Sequence, residues 1–221
     1  MMSTRSQPTS GLLQSVNVGT PRLVPANGHS VLTAIWKRPI QGPVALRGVN
    51  LRGDDQADRS VHGGPDKAVY AYARADIDWW EAELGRSLGE APFGENLTVS
   101  GLPVSEAVIG EQWALGSAVL QVAQPRLPCF KLGLRIGDPR FLKYFAAAGR
   151  PGAYLRVLRE GDITAGDHIA VTSRPTHGVT SALVARALLG ERDLLPMALT
   201  AGELPPDLRA WMQERAAGAA P

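Results

Sequence analysis

Cys129 is the only cysteine among 221 residues, and it stands in Gln-Pro-Arg-Leu-Pro-Cys-Phe-Lys-Leu, residues 124–132. Pro125 and Pro128 stiffen the backbone ahead of it, and Arg126 and Lys131 flank it with positive charge. Cations close to a thiol favour the thiolate, which is both a nucleophile and a ligand for soft metals. A cysteine is also, most often, a small buried hydrophobe. These residues alone leave ligation, nucleophilic attack and core packing open.

A second concentration of reactive types is residues 52–67, which carry Arg52, Asp54, Asp55, Asp58, Arg59, His62, Asp66 and Lys67 between two apolar runs. Gly63-Gly64 would let the backbone come close to a ligand. Lys67 is expected to open a strand, which would hold its root firmly. A phosphate loop would end in Gly-Lys-Ser/Thr and feed a helix, and neither feature is here. The alternating acids and terminal Glu of an EF-hand are missing too. The alternative is a solvated loop holding an Asp–Arg pair. A third stretch, residues 92–99, places Glu95 and Asn96 at the start of a strand, where they would hydrogen-bond a polar ring or close a turn. His29 and His177 read as loop residues and His168 as a structural strand residue, so only His62 keeps suggestive company. No histidine pairs with another, or with Cys129, at the spacing of a zinc site. Trp79-Trp80 reads as helix packing.

The elements that must position these residues are mostly short strands. Residues 12–18, 31–37, 43–49 and 67–73 are apolar runs bounded by Gly, Pro and Asn. Residues 111–125 form a predicted hairpin turning at Gly116-Ser117, and the runs around 153–161 and 167–173 make a last pair. Ile77, Trp80 and Leu84 share one helical face, which predicts a helix over 75–85 that stops at Gly85. A second helix is predicted over 138–149, with Asp138 as N-cap, Pro139 at its first position and Gly149 as its stop. Residues 1–10 read as a frayed tail and 11–173 as one mainly β domain. Residues 174–221 read as a tail of short helices that packs on the β body, being too small to core themselves.

The totals narrow the class. A chain of 221 residues can bury about 70% of its unfolded surface without disulfides. A net charge of +2 argues against a nucleic-acid polymer as partner. The polar start lacks a signal peptide, and no apolar run reaches membrane-spanning length, so a soluble cytoplasmic protein with no membrane association is expected.

Taken together and in order, residues 53–73, which begin Gly-Asp-Asp-Gln-Ala-Asp-Arg-Ser-Val-His-Gly-Gly-Pro-Asp-Lys, residues 93–102, which begin Phe-Gly-Glu-Asn-Leu-Thr-Val, and residues 109–132, which hold Cys129, resemble the MOSC family, named for the C-terminal domain of molybdenum cofactor sulfurase. The likeness is to the compact bacterial branch that includes 6-hydroxylaminopurine reductase, and it covers residues 11–173. Asn50-Leu51 stands where that pattern has Gly-Leu. The resemblance implies a twisted β-barrel with peripheral helices and a short helical C-terminal tail. It implies a molybdenum cofactor, molybdopterin, with Cys129 as metal or sulfur ligand. Arg126 and Lys131 would then keep the thiol ionised and offset the anionic cofactor. Arg52, Arg59 and Lys67 become candidates for its phosphate, and Asp54 joins the cofactor-binding set. His62, the backbone at Gly63 and Gly64, and Asn96 become candidates for the ring or an oxo group. Pyridoxal phosphate binding is a further association at family level, but nothing marks Lys67 as a Schiff-base lysine.

Two functions follow from the resemblance. One is an oxidoreductase that reduces N-hydroxylated bases or amines, small molecules, with Cys129 and His62 as catalytic residues. No flavin or nicotinamide fingerprint is present, and one cysteine cannot hold an iron–sulfur cluster, so electrons would come from an external reductase. The other is a carrier module in which Cys129 bears a persulfide or holds the cofactor without turnover. A cysteine hydrolase using Cys129 and His62 ranks last, because no oxyanion hole is legible. A homodimer stays open.

Overall fold

A computed structural model describes residues 7–26, 28–57 and 63–217. In chain order the strands are β1 (Ser10–Val18), β2 (Arg22–Ala26), β3 (His29–Thr33), β4 (Arg38–Pro39), β5 (Val44–Arg47), β6 (Asn50–Leu51), β7 (Val69–Ala73), β8 (Leu97–Ser100), β9 (Gln112–Leu115), β10 (Ala118–Gln124), β11 (Ala153–Arg159), β12 (Gly161–Ile163) and β13 (His168–Ser173). The helices are α1 (Arg74–Leu84), α2 (Phe130–Ile136), α3 (Phe141–Ala148), α4 (Ser181–Leu189), α5 (Leu195–Ala198) and α6 (Pro206–Ala217).

Seven strands close a mixed barrel in the order β13-β9-β10-β11-β7-β8-β1, and β1 pairs back onto β13 through Gly11↔Ile169. Only β7 and β8 run parallel within the ring, and α1 makes the crossover that a parallel pair needs. The predicted hairpin is present: Leu115 pairs with Ala118 across the two-residue turn Gly116-Ser117.

β7 shows how the barrel makes two cores. All five of its residues are buried. Side chains alternate across a strand, so Val69, Ala71 and Ala73 enter the aliphatic barrel core, while Tyr70 and Tyr72 point outward. The outward pair joins Trp80 of α1, Phe93, Leu132 of α2, and Phe141 and Phe145 of α3 in an aromatic layer. Trp80 is 4.7 Å from Phe141 between ring centroids, and its indole N–H donates to Tyr72 Oη at 3.0 Å. Packing is thus what the tryptophan pair does. The helical tail shares the aliphatic core, to which Val179, Val184, Leu195 and Met212 all contribute.

Two expectations are corrected and one helix is added. The predicted strand 31–37 ends at Thr33, because residues 34–37 leave the β2–β3 hairpin. The predicted helix 138–149 starts at Phe141: the Asp138 carboxylate accepts from the Arg140 N–H at 2.9 Å and turns the chain before the helix begins. A separate helix, α2, directly follows Cys129.

Candidate active site

A cleft with about 610 Å³ of empty space, its open mouth included, lies above the aromatic layer. Its walls come from the segment after β3 (Thr33, Ala34, Ile35, Lys37), the loop after β6 (Asp54 to Ala57), and Lys67. Tyr70 of β7, Phe93 to Asn96 ahead of β8, the segment after β10 and Tyr154 of β11 complete it. Gly94 is required at this wall. Its φ of 69° is left-handed, and a Cβ there would meet Ile35 Cγ1 at 2.7 Å.

The cleft gathers Asp54, Lys67, Asn96, Arg126, Cys129 and Lys131 of the residues singled out from the sequence. Arg52 does not join them: its side chain is exposed and absent from the walls, while its backbone N–H bonds Ala45 O at 2.8 Å. It is therefore withdrawn as a phosphate ligand. Gly63 and Gly64 lie outside the walls as well. Gly64 has φ 97° and ψ 169°, a conformation that only glycine holds without strain, and its carbonyl accepts from the Lys67 N–H at 3.1 Å. Lys67 therefore sits in a 3-10 turn, Pro65–Lys67, and does not open the strand. Arg59 and His62 lie outside the described residues.

Asp54 is the organiser of one wall. Its carboxylate accepts from the Gly19 N–H at 2.8 Å, from Asn96 Nδ2 at 2.9 Å and from the Lys37 ammonium. One side chain thus ties together the β1–β2 turn, the segment after β3 and the start of β8. Asn96 gives its other amide hydrogen to Asn17 O at 3.2 Å, and its Oδ1 accepts from the Tyr70 N–H at 3.1 Å. Both amide hydrogens serve the protein, so Asn96 positions Asp54 and has no donor left for a ring. Burial pushes the Lys37 ammonium below the usual lysine range, and the Asp54 carboxylate opposes that without outweighing it.

Behind this wall, Glu95 is fully buried. Its carboxyl accepts from the Phe93 N–H at 3.0 Å and from Thr98 Oγ1 at 3.3 Å. Burial outweighs these bonds and the nearby Arg126, and pushes its pKa up to about 7. Arg126 is buried too. It donates to Phe93 O and lies 5.1 Å from the Tyr70 ring centroid, and no ion pair among the described residues includes it. Burial also raises the Tyr70 and Tyr154 hydroxyls, which stay protonated; Tyr70 donates to Pro151 O at 2.8 Å. Cys129 is half-buried, ends an extended segment with φ −134° and ψ 159°, and is close enough to Arg126 and Tyr154 to act on both electrostatically. Leu127 and Phe130 beside it are exposed. Among the described residues, the walls carry four basic side chains, Lys37, Lys67, Arg126 and Lys131, against two acidic ones, Asp54 and Asp55. The arrangement can receive an anionic molecule and offer it one soft sulfur donor.

The MOSC domain family model matches residues 58–170. YflK of Bacillus subtilis is 42% identical over 166 residues, which are 75% of each chain. The chain belongs to the MOSC domain family. Another MOSC relative, YiiM of Escherichia coli, is 35% identical over 145 residues, covering 64% of this chain and 65% of that protein. A protein named "Reductase" from Gibberella moniliformis is 35% identical over 178 residues, which span only 31% of its length. The crystal structure of YiiM from Geobacillus stearothermophilus superposes with a TM-score of 0.76 at 30% identity, covering 93% of this chain and 99% of that one. A MOSC assignment ties this chain to molybdenum-cofactor-related function and agrees with its closed barrel.

Several wall residues were not legible beforehand. Lys37 ends an apolar run that read as strand, and Tyr70 and Tyr154 read as ordinary strand aromatics. Register brings the tyrosines together: they are Cα partners in the β7–β11 ladder. Among the described residues, no group of three His, Cys, Asp or Glu could hold a metal, and no helix is long and apolar enough to cross a membrane.

Proposed function

We propose that the cleft holds a molybdenum cofactor and that the protein reduces N-hydroxylated bases or amines with electrons from an external reductase. The observation that carries this reading is a half-buried thiol in a cleft where, among the described residues, basic groups outnumber acids. The donor set fits the group. A dithiolene brings its own two sulfurs to the metal, so the protein needs to add only one soft ligand, and Cys129 is that donor. Arg126, buried and in no ion pair among the described residues, together with Lys67 and Lys131, would hold the anionic portion by charge-assisted hydrogen bonds. When bound, the cofactor supplies two-electron chemistry that removes oxygen from nitrogen.

The residues of the chain do the rest. Lys37 and Asp54 fix the wall beside the ligand. Tyr70, Phe93 and Ile35 offer apolar surface that excludes water and suits a planar base. Glu95, with a pKa of about 7, holds a proton near neutrality one layer behind the wall. His62, which lies outside the described residues, stays a candidate proton donor on residue type alone. The name of the Gibberella relative and the MOSC assignment support a reductase.

The test is molybdenum analysis of protein expressed with molybdate, followed by reduction assays on 6-hydroxylaminopurine and an amidoxime with a chemical reductant. Wild type should hold molybdenum and turn over. Cys129→Ser should melt at an unchanged temperature and lose reduction, because a hydroxyl is a harder and far less acidic donor than a thiol. Metal-loaded wild type without turnover on either compound would favour the carrier function. Wild type without molybdenum would overturn both.

A further inference from the structure

A second cleft, of about 550 Å³, borders the first through Lys37, which lines both. Its walls are Arg22 at the start of β2, Trp36 ahead of β4, Arg38 of β4, Leu88 and Glu90 after α1, and Arg135 of α2. Three guanidinium groups from three separate elements thus face one space.

Arg135 shows that the space is not simply solvent. Its Nη2 donates to Glu90 O at 2.6 Å, while its Nε is shielded from solvent and has no acceptor. A buried N–H of a charged group is costly to leave without an acceptor. Burial holds the Arg135 guanidinium below the usual arginine range, and Arg22 adds to this by like-charge repulsion against the opposing pull of Glu95. Arg22 is itself held against the wall, with its guanidinium carbon 4.6 Å from the Trp36 ring centroid. Among the described residues, none of the three arginines forms an ion pair and Glu90 is the only acid in the walls. A lone exposed arginine needs no counter-ion. Convergent arginines, of which Arg22 and Arg135 repel one another and Arg135 keeps an unsatisfied N–H, describe a site whose charge is completed from outside.

We infer that this second cleft binds a phosphate group, either free or carried by a small organic molecule. Guanidinium forks match phosphate oxygens in pairs, which an ammonium cannot do. Trp36 and the buried Leu88 add an apolar wall beside the charge, suited to the organic portion of a carried phosphate. This site adjoins the proposed cofactor cleft at Lys37 but does not depend on that reading.

The indole N–H signal of Trp36, assigned by its loss in Trp36→Phe, reports the site directly by NMR. It should move in titrations with orthophosphate and with adenosine monophosphate. Tighter binding of the nucleotide marks a carried phosphate, and equal or weaker binding marks the free ion; both support the site. Arg22→Ala/Arg38→Ala removes two exposed side chains, so the fold should hold, and affinity should fall about ten- to hundredfold. Lys131→Ala, in the first cleft, should leave the Trp36 titration unchanged. A Trp36 signal that does not move with either ligand overturns the inference. So does a titration that survives in the folded double-arginine variant, or one that Lys131→Ala abolishes.

Discussion

Glu95→Gln should reverse part of the protein's pH dependence. Glu95 is fully buried, and its folded pKa of about 7 lies above its ordinary 4.5. Between those values the folded state binds the proton that the unfolded chain has released. Stability therefore falls as pH rises from about 4.5 through about 7, and the loss is complete above both. The difference corresponds to about 3 kcal/mol, at about 1.4 kcal/mol per pH unit. Glutamine is isosteric and has nothing to ionise. Its Oε1 can accept the Phe93 N–H that Glu95 accepts at 3.0 Å, and its amide can donate to Thr98 Oγ1, which now lies 3.3 Å from the carboxyl. Urea unfolding of both proteins across about pH 4–8.5 gives a difference curve. The variant should match wild type within about 1 kcal/mol at the acid end and exceed it by about 3 kcal/mol at the alkaline end. A flat curve would mean that Glu95 ionises normally, with Lys37 and Arg126 compensating its burial. A curve of opposite slope would mean that Glu95 is a stabilised carboxylate. The result bears on the cleft, because a neutral Glu95 leaves the basic wall less offset below pH 7.

Asp54→Ala should cost about 3–5 kcal/mol in urea unfolding, since it strands the buried Lys37 ammonium, and Asp54→Ala/Lys37→Met should recover most of that. Lys67→Ala should lower molybdenum retained per protein about ten- to hundredfold on dialysis, whereas Lys143→Ala, exposed on α3, should leave it unchanged. Met212→Ala should destabilise by about 2–5 kcal/mol, because this fully buried side chain of α6 belongs to the barrel core; a loss under about 0.5 kcal/mol would show that the tail is only draped on the barrel.

Much of the architecture is readable from local pattern. The turn at Gly116-Ser117, the face made by Ile77, Trp80 and Leu84, and the helices after residue 178 follow from periodicity and turn chemistry, which act over a few residues. The three motifs that resemble MOSC proteins, taken in order, also bring Asp54, Asn96 and Cys129 to one cleft, although no single motif states this. Local pattern misplaced what depends on neighbours distant in the chain. The apolar run 31–37 has strand composition throughout, yet only its first part finds a partner, and the rest is turned to bring Lys37 onto Asp54, 17 positions away. Arg52 has the right charge and sits beside the right residues, but the bend after β6 leaves it outside while Asp54 turns in.

Residue types by themselves determined that this is a β-rich chain with one soft sulfur donor and basic groups close to it. They also set the register-independent facts: where turns fall, which runs are apolar and which helices are amphipathic. Tertiary structure alone decided which of those groups share a space. Closing the barrel sets Tyr70 beside Tyr154, which stand far apart in the chain, and buries Arg126 against Phe93 O. It also places Glu95 where burial outweighs its hydrogen bonds and raises its pKa. Charge and reactivity at these positions are set by desolvation and by partners at long range. Neither quantity exists until the last strand, β13, pairs with the first.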